Sequence, residues 1–123
     1  MVNSASETLR VIAAFNERFN AHDVVGVMAL MTDDCIFENT SPFPDGERYQ
    51  GQEAVRAFWE QFFAGSPHAH FDAEDEFAAD DRATVRWRYT WRNADGSEGH
   101  IRGVDVFRVR DGKVAEKLAY VKG

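Results

Sequence analysis

The sequence predicts an α+β fold: a cone-shaped roll with three N-terminal helices packed on a curved, mixed but mainly antiparallel sheet. Three observations carry this expectation. Apolar residues recur at helical spacing in three segments of the first half. The second half alternates apolar and polar residues over long runs, punctuated by turn signals such as Asn93-Ala94-Asp95-Gly96-Ser97 and Asp111-Gly112. Consecutive strands joined by such turns form an antiparallel sheet with one face left for helices to cover.

The first helix is expected over about residues 6–21. Leu9, Ile12, Phe15 and Phe19 supply its apolar stripe, and Ser6 is read as its N-cap. Asp23 caps a short second helix with Val24, Val27, Met28 and Met31 on its apolar side, ended by Thr32-Asp33-Asp34. Residues 35–40 read as a strand with Cys35, Phe37 and Asn39 on one face. The stretch from Ser41 to Gln50 holds Pro42, Pro44 and Asp45-Gly46 and reads as a loop. Gly51 to about Phe63 is a third helix, with Val55, Phe58, Trp59 and Phe62 apolar.

Four strands follow. The first, about residues 68–78, sets Phe71, Ala73 and Phe77 opposite Asp72, Glu74 and Glu76. The second, about 82–92, sets Val85, Trp87, Tyr89 and Trp91 opposite Arg86, Arg88, Thr90 and Arg92. The last two flank Asp111-Gly112. In the first of them Ile101, Gly103, Asp105, Phe107 and Val109 share a face. Asp105 is therefore a carboxyl in apolar company, which is costly unless it is paired, hydrogen-bonded or protonated.

The length, 123 residues, suits one domain spanning 1–123, and the 44% hydrophobic fraction suits a globular core. Ten Phe, three Trp and three Tyr are enough both to fill a core and to line a pocket. A net charge of −7 disfavours nucleic acid and anionic membranes as partners. No apolar run approaches transmembrane length, and Met1-Val2-Asn3-Ser4-Ala5-Ser6 has no signal-peptide character. The single cysteine, Cys35, excludes an internal disulfide, so a cytoplasmic location is the default expectation.

Phe19-Asn20-Ala21-His22-Asp23, Met31-Thr32-Asp33-Asp34-Cys35, Gly51-Gln52-Glu53-Ala54-Val55 and Val104-Asp105-Val106-Phe107-Arg108-Val109 with Asp111-Gly112-Lys113-Val114 follow one another along the chain. In this order they resemble the nuclear transport factor 2-like superfamily, and within it the SnoaL-like polyketide cyclases and ketosteroid isomerases. The resemblance covers nearly the whole chain and implies a cystatin-like cone with an internal cavity. Isomerases of this kind use a tyrosine on the first helix, an aspartate base on the first strand and a protonated aspartate on a late strand. Asp105 matches the last of these, but the other two positions fall on Phe15 and Asn39. An amide cannot abstract a carbon acid's proton, so steroid-type isomerisation by that route is not expected.

Two readings of Asp105 stand side by side. It is a pocket acid, or it is paired with Lys117, which the resemblance places on the inner face with Ala115, Ala119 and Val121. Asn39 either orients a substrate carbonyl or water, or bonds the backbone of the loop after it. Phe15, Phe37, Trp59, Phe62, Trp87, Tyr89, Trp91 and Phe107, with Lys117, are the candidate ligand-contacting set. The alternative for the aromatic residues is core packing. His68 and His70 have chelating spacing, but a third ligand is not evident and no metal is assigned. No nucleotide fingerprint or nucleophile motif occurs, so no cofactor is expected. Arg86, Arg88, Arg92, Arg102 and Arg108, with Asp72, Glu74 and Glu76, are expected on the outer sheet face, where relatives of the fold dimerise.

The functional expectation is a domain that binds a small, largely apolar organic molecule in the cone, with Asp105 and Asn39 available for cofactor-free acid–base chemistry of isomerase, cyclase, dehydratase or hydrolase type. The alternative is a non-catalytic binding or dimerisation module. An enclosed cavity of roughly 300 Å³ or more favours the first, and a filled cone favours the second.

Overall fold

A computed structural model describes residues 4–122. Met1, Val2 and Asn3, part of the segment read above as lacking signal-peptide character, lie outside the described residues, as does Gly123. Three helices, α1 (Ala5–Asn20), α2 (Val24–Ala29) and α3 (Gln52–Gly65), pack on one open six-stranded sheet. Its strands are β1 (Met31–Glu38), β2 (Arg48–Gln50), β3 (His70–Ala79), β4 (Arg82–Arg92), β5 (Glu98–Arg110) and β6 (Lys113–Val121). The spatial order is β2-β1-β6-β5-β4-β3. Only β1 and β6 run parallel; every other neighbouring pair is antiparallel.

Helix α1 buries Thr8, Ile12, Phe15 and Phe19 against the sheet. Its cap is Ser4, not Ser6: the Glu7 amide donates to Ser4 Oγ at 3.2 Å. A hydroxyl three residues before an acid is the stronger N-terminal signal. Asp23 caps α2 as expected, accepting from the Gly26 amide at 2.9 Å. Met31 leaves that helix's stripe and opens β1, which begins earlier than Cys35 and ends at Glu38, so Asn39 lies just beyond the strand. The junction is held by Gln52, whose Nε2 donates to the carbonyls of Met28, Met31 and Thr32 at 3.1, 3.1 and 3.0 Å.

Two sequence expectations for the sheet are corrected. The segment read wholly as loop contains β2, which pairs Arg48 with Glu38 and Gln50 with Ile36. In β3 the alternation fails partway. Ala73 lies opposite Trp87, but Asp75 rather than Glu74 lies opposite Arg86, so Glu74 is an extra residue in a β-bulge. Beyond it parity reverses. Glu76 aligns with buried Val85, while Phe77 aligns with Thr84 and is 59% exposed on the outer face.

The β5–β6 turn behaves as its residues require. Asp111 and Gly112 both have positive φ, at 54° and 74°, and close a two-residue hairpin between Arg110 and Lys113. At the other end of α1, Asn20 clasps the main chain of Phe71. Its Nδ2 donates to the carbonyl at 2.8 Å, and its Oδ1 accepts from the amide at 2.9 Å. This clasp fixes β3 against the helix beside the cone mouth.

Candidate functional site

The inner faces of β1, β4, β5 and β6 divide into two levels. At the closed level Asp105 and Lys117 meet, Oδ2 to Nζ at 3.2 Å, with the residues 4% and 5% exposed. Strand register explains the meeting. Asp105 aligns with Ala119 and Phe107 with Lys117, so the two charges sit diagonally on adjacent strands. Four rings surround the ammonium: Phe37, Phe19, Trp59 and Phe107, with centroids 5.1, 5.4, 5.5 and 6.0 Å away. Ring faces offset part of the lost hydration of a buried cation. Asp105 Oδ1 is buried without a protein partner.

Above this level lies a cavity of about 390 Å³. Of the candidate residues, Phe37, Asn39, Trp59, Phe62, Trp87 and Tyr89 line it. Asp105, Lys117, Phe15 and Phe107 are not among its lining residues. Phe15 is fully buried lower down, 5.9 Å from Phe107 and 6.2 Å from Phe19 between ring centroids. Trp91 instead lines a separate cleft with His68, Tyr89 and Arg92, its indole N–H donating to Asn93 Oδ1 at 3.1 Å.

Glycine at 103 lets Trp87 lie across β5. A Cβ at Gly103 would fall 2.3 Å from the Tyr120 carbonyl oxygen and 2.5 Å from the Trp87 ring. Trp87 thus occupies the level between Asp105 and the mouth, packed edge-on against Phe71 at 5.2 Å. Phe71 in turn stacks on Tyr89 at 4.6 Å. The sequence reading did not include Phe71, Phe19 or Phe58 in the lining. The available signal for Phe19 was its place one helical turn beyond Phe15.

The polar chemistry of the cavity is sparse. Trp59 and Trp87 each carry a buried indole N–H with no acceptor in the protein. Asn39, Thr40 and Ser41 stand at the mouth. The Asn39 main-chain amide bonds Glu47 O at 2.9 Å, which ties the loop after β1 back to it. Cys35, buried on the β1 inner face, has its thiol pKa raised by burial first and then by the negative charge of Asp34. His70 Nε2 lies 2.9 Å from Asp72 Oδ1, and no group of three or more His, Cys, Asp or Glu positioned for a metal occurs among the described residues.

On the outer face Arg102 pairs with Glu74, Nε to Oε1 at 3.0 Å, and this hydrogen bond lowers the Glu74 carboxyl pKa. No helix among the described residues is long and apolar enough to cross a membrane.

Comparison with known proteins agrees with this architecture. The family model of the SnoaL-like domain matches residues 12–117. A nuclear transport factor 2-like protein of unknown function from Mesorhizobium loti is 41% identical, with a TM-score of 0.80 over 97% of this chain and 93% of that one. A candidate polyketide cyclase from Xanthomonas campestris is 21% identical, with a TM-score of 0.79 over 96% of this chain and 92% of the other. A candidate ketosteroid isomerase from Kribbella flavida is 18% identical, with a TM-score of 0.81 over 97% of this chain and 80% of that one. The last two establish a shared fold. No curated protein matches in sequence.

Proposed function

The chain belongs to the SnoaL-like domain family, and from that premise we propose that it binds a small, largely apolar organic molecule in the cone. The observation that carries this reading is the 390 Å³ cavity walled by aromatic rings. A cavity of that volume is in the range that holds a compact organic ligand, and its aromatic wall supports that use. The Asn39 side-chain amide in the cavity wall favours a ligand bearing a hydrogen-bonding group. Asn39 is assigned the role of orienting a carbonyl or a water at the mouth.

Asp105 is assigned to structure. Its pairing with Lys117 beneath the aromatic floor supports that assignment over a role as a pocket acid. A thermal-shift screen of apolar compounds, repeated on Ala119→Trp, tests the cavity. Ala119 lines it, and a Trp there fills it. Compounds should raise the Tm of the native chain and not of the variant. Equal shifts in both would place binding elsewhere.

The outer face is proposed as the contact with a second copy. The bulge in β3 aligns Phe77, Thr84, Val106 and Leu118 in one row across four strands. Two residues from Thr84 along β4, Arg86 is exposed on the same face, where a partner's carboxylate can reach it. Light scattering after size exclusion should give twice the monomer mass, and Phe77→Asp should return it to one.

A further inference from the structure

The space in the cone does not end at Asn39. A cleft of about 640 Å³ adjoins it between the loop of residues 41–46 and the end of β6, and Thr40, Ala119 and Val121 line both spaces. The chemistry changes from one chamber to the next. The cone's lining is aromatic and uncharged, whereas the charged residues lining the cleft are Glu38 and Asp45, both acidic. Phe43 and Tyr120, two of the large hydrophobic residues left exposed at 75% and 51%, line this same cleft.

The loop that presents these groups is tightly built. The Gly46 amide donates to Pro42 O at 2.8 Å and the Glu47 amide to Ser41 O at 3.1 Å. Gly46 has φ +77°, and a Cβ there would fall 1.7 Å from the Asn39 carbonyl oxygen, so only glycine lets the loop close on the end of β1. Asp45 rides on this closed turn and has no hydrogen-bond or ion-pair partner among the described residues. Glu38 faces Arg48 at 3.8 Å, with the Arg48 side chain 57% exposed. A pair that long and that wet leaves Glu38 available to another cation.

Exposed rings beside carboxylates suit a cation with an apolar skin. The ring face attracts the positive charge, and alkyl groups around a nitrogen give up little hydration on contact. The net charge of −7 draws cations toward the protein. Lys117 lies in the cone interior and lines neither space, and Arg48, opposite Glu38, is not among the residues lining the cleft.

We propose that the cleft is a head-group subsite for an organic ammonium, so that the ligand is an amphiphile with its apolar body in the cone and an alkylated nitrogen between Phe43, Tyr120 and Asp45. This rests on the cone being a ligand cavity and adds the chemical class of what enters it.

Isothermal titration of the intact chain with phenylbutyltrimethylammonium, phenylbutanol and phenylbutanoate separates the two statements. The ammonium should bind roughly tenfold more tightly than the alcohol, the sum of a cation–π contact and an exposed ion pair. The carboxylate should bind most weakly. Asp45→Asn and Phe43→Ala, both on the surface, should each reduce the preference without weakening the alcohol. Equal binding of ammonium and alcohol, or a preference that survives both substitutions together, overturns the subsite and leaves the cavity standing. Binding of none of the three at millimolar concentration overturns both.

Discussion

The closed and open levels of the cone are built from the same strands and behave as different materials. The closed level is filled: Ile12, Phe15, Phe107, Val109 and Val114 are at most 1% exposed, and its one ion pair is dry. The open level, reached four residues earlier on β5 at Ile101, holds the 390 Å³ cavity, and Trp59 and Trp87 in its wall carry indole N–H groups without protein acceptors. The dividing line is Trp87 lying over Gly103. A strand can therefore serve stability at one end and recognition at the other, because alternate residues on one face belong to different environments.

The largest expected effect breaks the closed level. Lys117→Met leaves the Asp105 carboxylate buried and unpaired, and should cost about 3–5 kcal/mol in urea denaturation. Asp105→Leu combined with Lys117→Met should recover most of that loss, since an apolar pair of similar volume needs no desolvation. A single variant as stable as the native chain would show that the pair is not the closed level's anchor. Phe15→Ala should cost about 3–5 kcal/mol for the cavity it opens. Tyr89→Ala, at the half-exposed mouth, should cost about 1 kcal/mol while abolishing ligand binding. Similar stability losses from these two would erase the distinction between levels.

Gly103→Ala tests the divide itself. The new methyl meets the Tyr120 backbone and the Trp87 ring, so a loss of about 1–3 kcal/mol is expected, with a shifted tryptophan emission. An unchanged spectrum would mean that Trp87 does not rest there. Cys35 gives a chemical reading of closure. With its thiol pKa raised by burial, it should react with a disulfide reagent at pH 8 far more slowly in the native chain than in urea. Prompt native labelling would contradict a closed floor.

The smallest effect is the outer pair, Arg102 with Glu74. The Glu74 carboxyl pKa is lowered in the folded chain, so the pair's contribution is present above the unfolded carboxylate pKa and fades as pH falls through the folded one. Both groups are wet, and Arg102→Ala should be almost silent at neutral pH in physiological salt. A large loss there would place the exposed pair on a level with the buried one.

The sequence carried the parts of this picture that depend on parity and cap chemistry. Alternation in β5 turned Asp105 inward with Phe107 and Val109, the family resemblance put the face of Lys117 inside, and Asp111-Gly112 marked the hairpin. What it could not carry were facts made by neighbours. Whether Asp105 met Lys117 depended on the β5–β6 register, which neither strand states alone. The three residues of β2 pair only because β1 extends past them, and nothing in a proline-rich segment signals that. The inclusion of Phe107 and Lys117 in one ligand-contacting set with Trp87 followed from the inward faces of their strands, and that of Phe15 from the family's tyrosine position. A face is a direction, and depth along it is a tertiary property. The Ser4 cap was legible in Ser4-Ala5-Ser6-Glu7, where the acid three residues on points to the first serine.

The bulge at Glu74 makes the length of β3 carry information of its own. Deleting that one residue would let Asp75 follow Ala73 directly and leave every other pair in place, with Glu76 still aligned with Val85 and Phe77 with Thr84. The alternation would then be unbroken with Phe77 still outward, and the loss would fall on Glu74 alone, the partner of Arg102. Among relatives, a one-residue gap at this point would predict the same outer row carried on a strand without the bulge.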